Sequence, residues 1–78
     1  MKEAIEKIVK AIVADGDSVE VEEYSEGGKN VRLSVRVAPD DYGRLIGREG
    51  RTIKAIRSLL HYAGLKQGKR FQLDLIED

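Results

Sequence analysis

Cysteine and tryptophan are absent from the 78 residues, and histidine and proline occur once each. Without cysteine, the chain can form neither a disulfide nor a thiolate metal site. His61 is the only histidine, and the sequence has no nucleophile–base constellation and no cluster of metal ligands around it. We therefore expect a protein that is not an enzyme and that binds no metal, no cofactor and no small-molecule substrate.

The chain also lacks a long apolar run. Residues 1–7 alternate charged and apolar side chains instead of forming the continuous apolar stretch of a signal peptide or a membrane span. The sequence predicts a soluble, cytoplasmic protein with no membrane partner. At 78 residues there is room for one small core, so we expect a single domain over residues 1–78.

The formal net charge is zero, but the charge is unevenly distributed. Residues 43–70 hold eight basic side chains against Glu49 alone, a net charge of +7, whereas residues 1–42 carry −4 and residues 71–78 carry −3. A cationic segment of this kind can attract a polyanion locally in a neutral protein. A solvated helix surface is the alternative interpretation of the same pattern.

Apolar side chains at helical spacing predict an N-terminal helix that ends near Asp15, with Gly16 as a left-handed cap. Period-two alternation over residues 19–22 and 31–37 predicts two strands with one buried face each, joined by a hairpin loop over residues 25–30. Tyr24 lies out of phase with the first strand, which predicts a bulge or the end of the strand there.

The outward Glu20 and Glu22 of the first strand are expected to face Arg32 and Arg36 across an antiparallel pair. After the second strand, Ala38-Pro39-Asp40-Asp41 predicts the start of a helix, with an aspartate capping its free amides. Two adjacent carboxylates also suggest a metal or acid–base pair, but no other residue completes such a site.

Glycine is placed unusually in the next segment. Gly43, Gly47 and Gly50 interrupt an apolar pattern, and each glycine inside a helix costs about 1 kcal/mol relative to alanine. The pattern therefore predicts a short helix through residues 42–46, a sharp turn, and a second helix from Arg51 that Gly64 closes. A turn over residues 66–70 and a strand over residues 71–75 follow.

The turn between these two helices is the candidate site. Glycines let another backbone approach closely, and the first amides of the following helix are free at its positive dipole end, an arrangement suited to a phosphate. Cations flank the turn at Arg44, Arg48 and Arg51. Ile46 and Ile53 offer an apolar surface for bases.

The predicted order is helix, strand, strand, short helix, helix, strand. The hairpin gives an antiparallel pair, and the helical crossover makes the last strand parallel to the second. Because each strand has one apolar face, all three helices should pack on one side. We therefore predict an α+β fold in two layers, with a three-stranded mixed sheet and the order α-β-β-α-α-β.

The glycine segment resembles the signature of the KH domain, an apolar pair followed by Gly-x-x-Gly, two variable residues and an isoleucine. The matching residues are Leu45-Ile46, Gly47-Arg48-Glu49-Gly50 and Ile53, with Gly43 ahead of them. The element order is also that of the type II, or prokaryotic, KH fold, so the resemblance covers nearly the whole chain. In length the sequence is similar to the bacterial stand-alone KH proteins of the KhpA family.

The resemblance implies a non-catalytic protein that binds single-stranded RNA and acts in RNA metabolism, in post-transcriptional regulation or as an RNA chaperone. KH modules hold about four nucleotides with the Gly-x-x-Gly loop against the backbone. The resemblance also implies a homodimer or a complex with another RNA-binding protein. The RNA-binding residues that it implies, together with the surrounding cations, are Arg44, Ile46, Gly47, Arg48, Glu49, Gly50, Arg51, Ile53, Lys54 and Arg57.

Glu49 departs from the pattern, since a carboxylate beside a phosphate is repulsive and KH loops often carry a basic or neutral residue there. The aromatic residues are scattered, which argues against an aromatic stacking platform. The alternative function is a protein-interaction or ribosome-docking module in which the glycine loop is only structural. The preference for RNA over DNA rests on the resemblance alone.

Overall fold

A computed structural model describes residues 1–77 of the chain. The helices and strands follow the predicted order, and single turns of 3₁₀-helix precede β1, α2 and α3. The elements are α1 (Lys2–Ile12), β1 (Glu20–Glu26), β2 (Asn30–Arg36), α2 (Tyr42–Ile46), α3 (Arg51–Gln67) and β3 (Arg70–Leu75).

The three strands form one mixed sheet in the order β1-β2-β3. β1 pairs antiparallel with β2, with Glu20 opposite Arg36. β2 pairs parallel with β3, with Asn30 opposite Arg70. The crossover from β2 to β3 runs through α2 and α3, which places the glycine turn between those helices outside the sheet. The predicted α+β fold with a mixed sheet is confirmed.

One face of the sheet and the inner sides of the helices form a single core. Leu33 and Val35 at the centre of β2 are fully excluded from solvent. The side chains that pack around them include Ile5 and Val9 of α1, Leu45 of α2, Ile53, Ile56 and Leu60 of α3, and Leu73 of β3. The opposite face of the sheet is open and polar, so the fold has two layers.

The ion pairs on the open face agree in part with the expected ones. Arg36 lies 3.6 Å from the Glu20 carboxylate, as the alternation predicted. Arg32 instead contacts Glu26 at 3.9 Å and Asp74 at 3.3 Å. The reason is the register, which places Tyr24 rather than Glu22 opposite Arg32.

Two predictions for the first third of the chain are wrong. α1 ends at Ile12, and Gly16 does not take a left-handed conformation; the chain turns earlier because Val13 enters the core. β1 continues through Tyr24 to Glu26 in an unbroken register with β2, so there is no bulge. Tyr24 is simply an outward residue of the open face.

The predicted end of the long helix is also wrong. α3 continues past Gly64 to Gln67, and Gly68 is the left-handed cap, with φ of 67°. Gly64 is buried inside the helix, where the Lys69 backbone packs so closely that a Cβ atom would collide with the Lys69 carbonyl oxygen. This glycine is required by close packing, not by helix termination.

Candidate nucleic-acid interface

The Gly-x-x-Gly segment is a tight loop between α2 and α3. α2 ends with a hydrogen bond from the Gly47 amide to the Gly43 carbonyl at 2.9 Å. Gly47 then takes φ 80° and ψ 173°, a backbone conformation that essentially only glycine adopts. Space is also restricted, since a Cβ atom on Gly47 would lie 2.9 Å from the Thr52 backbone nitrogen. The loop therefore needs glycine at this position.

The second half of the loop contains two left-handed residues in succession. Glu49 has φ 57° and ψ 26°, and Gly50 has φ 73° and ψ 15°. Arg51 returns to the right-handed helical region and begins α3. A tight glycine turn of this kind can direct backbone amides toward a common concavity, which is a known anion-binding arrangement. The backbone of the loop is thus suited to a phosphate.

The first amide of α3 is not free, in contrast to the sequence prediction. The Gly50 amide donates to the Gly47 carbonyl at 3.1 Å, and the Arg51 amide donates to the Arg48 carbonyl. These two bonds close the loop onto the start of α3 and leave the side chains of Arg48 and Glu49 exposed on its outer side.

The cations around the loop differ in their partners. Arg44 contacts the buried Asp41 at 3.4 Å, and Arg51 contacts Glu49 at 3.5 Å. Across the described part of the chain, Arg48 and Lys54 form no ion pair. Of these four cations, the two without an ion pair therefore lie on the loop itself and on the first turn of α3.

Two further cations lie on the flank of α3 that faces β3. Arg57 donates a hydrogen bond to the Leu73 carbonyl at 3.3 Å, so this flank of α3 faces the outer edge of the sheet. β3 is an edge strand, and Arg57 covers one of its free carbonyls. Lys54 lies one turn before Arg57 on the same flank, so both cations lie between the loop and this edge.

The two isoleucines of the motif have different environments. Ile46 is half-buried at the end of α2, beside the loop. Ile53 is 6% exposed and belongs to the core. Ile46 can offer apolar surface to a ligand, whereas Ile53 supports the loop from beneath, since its side chain lies 4.0 Å from the position of a Cβ on Gly50.

Asp41 anchors the helix that leads into the loop. Its carboxylate accepts hydrogen bonds from the Ala14 amide at 3.1 Å and the Asp15 amide at 3.0 Å. The carboxylate makes no capping bond to its own helix, so the predicted local cap is wrong. Its hydrogen-bonding capacity is used by the two amides that follow α1. Hydrogen bonds from Asp15 and Ala14 hold the pKa of Asp41 below its usual value; Arg44 lowers it further and burial opposes the shift.

Sequence reasoning missed Asp41 as a tertiary anchor and Thr52 as the residue against Gly47. Nothing local signals either contact, since Asp41 bonds to amides 26 and 27 residues away. Tyr42 adds a second anchor, because its hydroxyl donates to the Ile76 carbonyl beyond β3. α2 is therefore tied to α1 and to the end of the sheet, which fixes one side of the loop.

No helix within residues 1–77 is long and apolar enough to cross a lipid bilayer. In the same residues, no group of three or more His, Cys, Asp or Glu side chains is arranged to hold a metal ion.

The chain is similar to a set of bacterial proteins along its whole length. Residues 2–75 match the family model for the KhpA/KhpB KH domain. The chain is 42% identical to the RNA-binding protein KhpA of Halalkalibacterium halodurans, over 99% of this chain and 100% of that protein. It is 39% identical to the same-named protein of Aquifex aeolicus, over 99% of this chain and 96% of that protein.

A third relative, the RNA-binding protein KhpA of Leifsonia xyli, is 44% identical over 96% of this chain and 95% of its own length. No solved structure matches the chain. The match to the family model spans nearly the whole sequence, including both glycines of the loop. The chain belongs to the KhpA/KhpB family of KH-domain proteins.

Proposed function

We propose that the protein binds single-stranded RNA and holds its sugar-phosphate backbone against the loop from Gly47 to Gly50. The observation that carries the proposal is the exposed Arg48 side chain, which has no ion-pair partner within residues 1–77, on a loop whose backbone is fixed by the conformation of Gly47. An uncompensated guanidinium on a glycine loop suits a phosphate. The relatives named RNA-binding proteins support the choice of RNA as the polyanion.

The flank of α3 that faces the β3 edge is the place for the bases. Ile46 supplies apolar surface beside the loop, and Lys54 and Arg57 lie along this flank. A surface between a helix and a strand edge accommodates splayed bases better than a duplex. Arg44 and Arg51 contribute long-range attraction, although their ion pairs with Asp41 and Glu49 must be weakened before they contact RNA directly.

The function is non-catalytic. It consists of holding single-stranded RNA, in RNA metabolism, in post-transcriptional regulation or as an RNA chaperone. The cytoplasm is the compartment that such a function requires in a bacterium. A single site for about four nucleotides gives limited affinity, and a second linked site raises it through effective concentration.

We propose self-association as the source of that second site. α3 carries an apolar strip of Leu59 and Tyr62, spaced three residues apart and 58% and 67% exposed, on the side away from the core. Contiguous apolar side chains on a helix surface mark an interaction site. In a two-fold symmetric dimer the strips of the two copies pack against each other. This arrangement leaves the flank with Lys54 and Arg57 open to RNA. A complex with another RNA-binding protein is the alternative use of the strip.

The test is a titration of a labelled single-stranded RNA pool with wild type and with Arg48→Asp/Glu49→Asp. The double variant replaces the loop cation with an anion and keeps both glycines. Its matched control is Lys2→Asp/Glu3→Asp, which makes the same pair of changes on the exposed start of α1. We expect the loop variant to lose binding, the control to keep it, and circular dichroism to find both folded.

The rival function is a protein-interaction or ribosome-docking module with a purely structural glycine loop. Salt dependence separates the two functions, because affinity for RNA falls as salt rises. Each phosphate contact to a single strand makes the slope of log affinity against log salt steeper by about 0.7. Equal RNA binding by wild type and the folded loop variant, or no binding by either across a salt series, would favour the rival.

A further inference from the structure

Two adjoining cavities lie at the end of α3 farthest from the glycine loop, where the helix meets the start of β3. Their volumes are about 230 and about 380 Å³, and Leu65, Lys69 and Arg70 line both. His61 and Phe71 complete the first, and residues from the start of β2 and the end of α3 complete the second. Together they are called the distal cavity.

The distal cavity is cationic. No acidic side chain lines either part of it. Of its basic residues, Lys29, Lys69 and Arg70 make no ion pair with any carboxylate in residues 1–77, whereas Arg32 and Arg36 on the open sheet face are paired with acidic neighbours. Uncompensated charge concentrated at one cavity favours an anionic ligand.

The cavity also contains two aromatic rings. His61 on α3 and Phe71 on β3 are ten residues apart in sequence, and the fold brings them to the same cavity. The aromatic residues are scattered in the sequence, so no local pattern predicts a stacking platform. An aromatic ring beside cations is the composition that holds a nucleotide, with the base on the ring and the phosphate on the cation.

The backbone around the cavity is fixed. The Lys69 amide donates to the Gly64 carbonyl at 2.8 Å, and the Arg70 amide donates to the Lys29 carbonyl at 2.7 Å. These bonds join the end of α3, the start of β3 and the turn before β2. A ligand therefore meets a preformed wall rather than a loop that must be ordered on binding.

The distal cavity lies on the same flank of α3 as Lys54 and Arg57. His61 follows Lys54 and Arg57 at helical spacing, on the flank of α3 that faces β3. It lies ten residues beyond Arg51, which is about 15 Å along the helix. A strand held at the loop and laid along this flank therefore reaches the distal cavity.

We propose that the distal cavity binds a further nucleotide of the same RNA strand, with its base against His61 and Phe71 and its phosphate at Lys69 and Arg70. This inference rests on the proposed function, because the loop fixes the other end of the strand. It assigns the protein a longer site than the loop alone provides, and it gives His61 a role in binding.

The experiment compares RNAs of about four and about eight nucleotides, lengths within the range of single-stranded sites. Each is titrated with wild type, Lys69→Ala/Arg70→Ala and His61→Ala. Lys2→Ala/Lys7→Ala is the matched control, since it removes the same charge from exposed positions on α1. We expect both distal variants to bind the longer RNA about tenfold more weakly than wild type and to bind the shorter RNA as wild type does. The control should bind both RNAs like wild type.

Amide NMR spectra of wild type provide a second measurement that needs no variant. The longer RNA should shift the resonances of His61, Lys69 and Phe71 together with those of the loop, and the shorter RNA should shift the loop alone. Distal variants that bind both RNAs like wild type, or that weaken both equally, overturn the inference while leaving the proposed function intact. Failure of wild type to bind either RNA overturns both.

Discussion

A Cβ atom on Gly47 would lie 2.7 Å from the Cβ of Thr52. The other glycine of the motif, Gly50, has no such restriction, since the nearest atom to a Cβ there is the Lys54 side chain at 3.8 Å. Gly47 is therefore required by both its backbone conformation and its neighbour. Gly50 is required by its backbone conformation alone.

This difference predicts unequal effects on stability. Gly47→Ala should lower the free energy of unfolding by about 2–4 kcal/mol, because it combines backbone strain with overpacking. Gly50→Ala should lower it by about 1–2 kcal/mol, the penalty of a left-handed residue with a side chain. Urea denaturation followed by circular dichroism measures both. Equal losses of unfolding free energy in the two variants would show that Thr52 can move away from a Cβ atom on residue 47 at no energetic cost.

Asp41→Asn should destabilise the protein at neutral pH. The Ala14 and Asp15 amides donate to separate oxygens of the carboxylate, and in asparagine one of these oxygens becomes an NH2 group that faces a donor. We expect the melting temperature to fall by roughly 5 °C or more, as is usual when a buried, charge-assisted bond is lost in a domain of this size. Asp40→Asn, at the exposed neighbouring position, is the matched control and should melt like wild type.

The effect of Asp41→Asn should depend on pH in a defined direction. The Asp15 and Ala14 amides lower the pKa of Asp41 in the folded state, so the carboxylate stabilises the fold above its unfolded pKa of about 3.9. That stabilisation is lost as the pH falls through the folded-state pKa. The difference between the melting temperatures of wild type and variant should therefore begin to shrink as the pH falls below about 4. A constant difference from neutral to acidic pH would argue against this role of the charge.

Asp41 also illustrates what the sequence can and cannot predict. The element order, the strand pairing and the loop between α2 and α3 follow from local periodicity and glycine placement, and the structure agrees. The partner of Asp41 is set by tertiary packing of α1 against α2, which no local pattern contains. The same reason explains Gly64, where a close backbone approach looks like a helix end in the sequence.

The candidate site likewise has a part that the sequence predicts and a part that it does not. The motif identifies the loop and places Arg48 on it, because these positions are contiguous in sequence. It does not separate the core role of Ile53 from the exposed surface of Ile46, since both are apolar at motif positions. It also gives no reason to join His61 to Phe71, because they meet only when α3 and β3 pack together.

Glu49 should weaken RNA binding, and its removal should strengthen it. Its carboxylate lies 3.5 Å from the Arg51 guanidinium and so neutralises a cation beside the loop. Glu49→Gln keeps the shape of the side chain and releases Arg51 for a phosphate. We expect RNA affinity to rise several-fold, with the slope of log affinity against log salt steeper by about 0.7 for one added contact. Fluorescence anisotropy titrations at several salt concentrations measure both quantities.

Glu23→Gln on β1, another exposed carboxylate, is the control for Glu49→Gln because it makes the same change of net charge far from the loop in the chain. A similar gain in affinity for both variants would mean that overall charge, rather than release of Arg51, accounts for the effect. Unchanged affinity for Glu49→Gln would place the phosphate away from Arg51.

Leu59→Glu should convert a dimer into a monomer. Leu59 is 58% exposed on α3, so a carboxylate there is harmless to the monomer but is desolvated when a second copy covers the apolar strip. Analytical ultracentrifugation should find wild type as a dimer and Leu59→Glu as a monomer with an unchanged melting profile. Tyr24→Glu, an exposed substitution on the open sheet face, is the control and should remain dimeric. A monomeric wild type, or a Leu59→Glu variant that still dimerises, contradicts assembly through this strip.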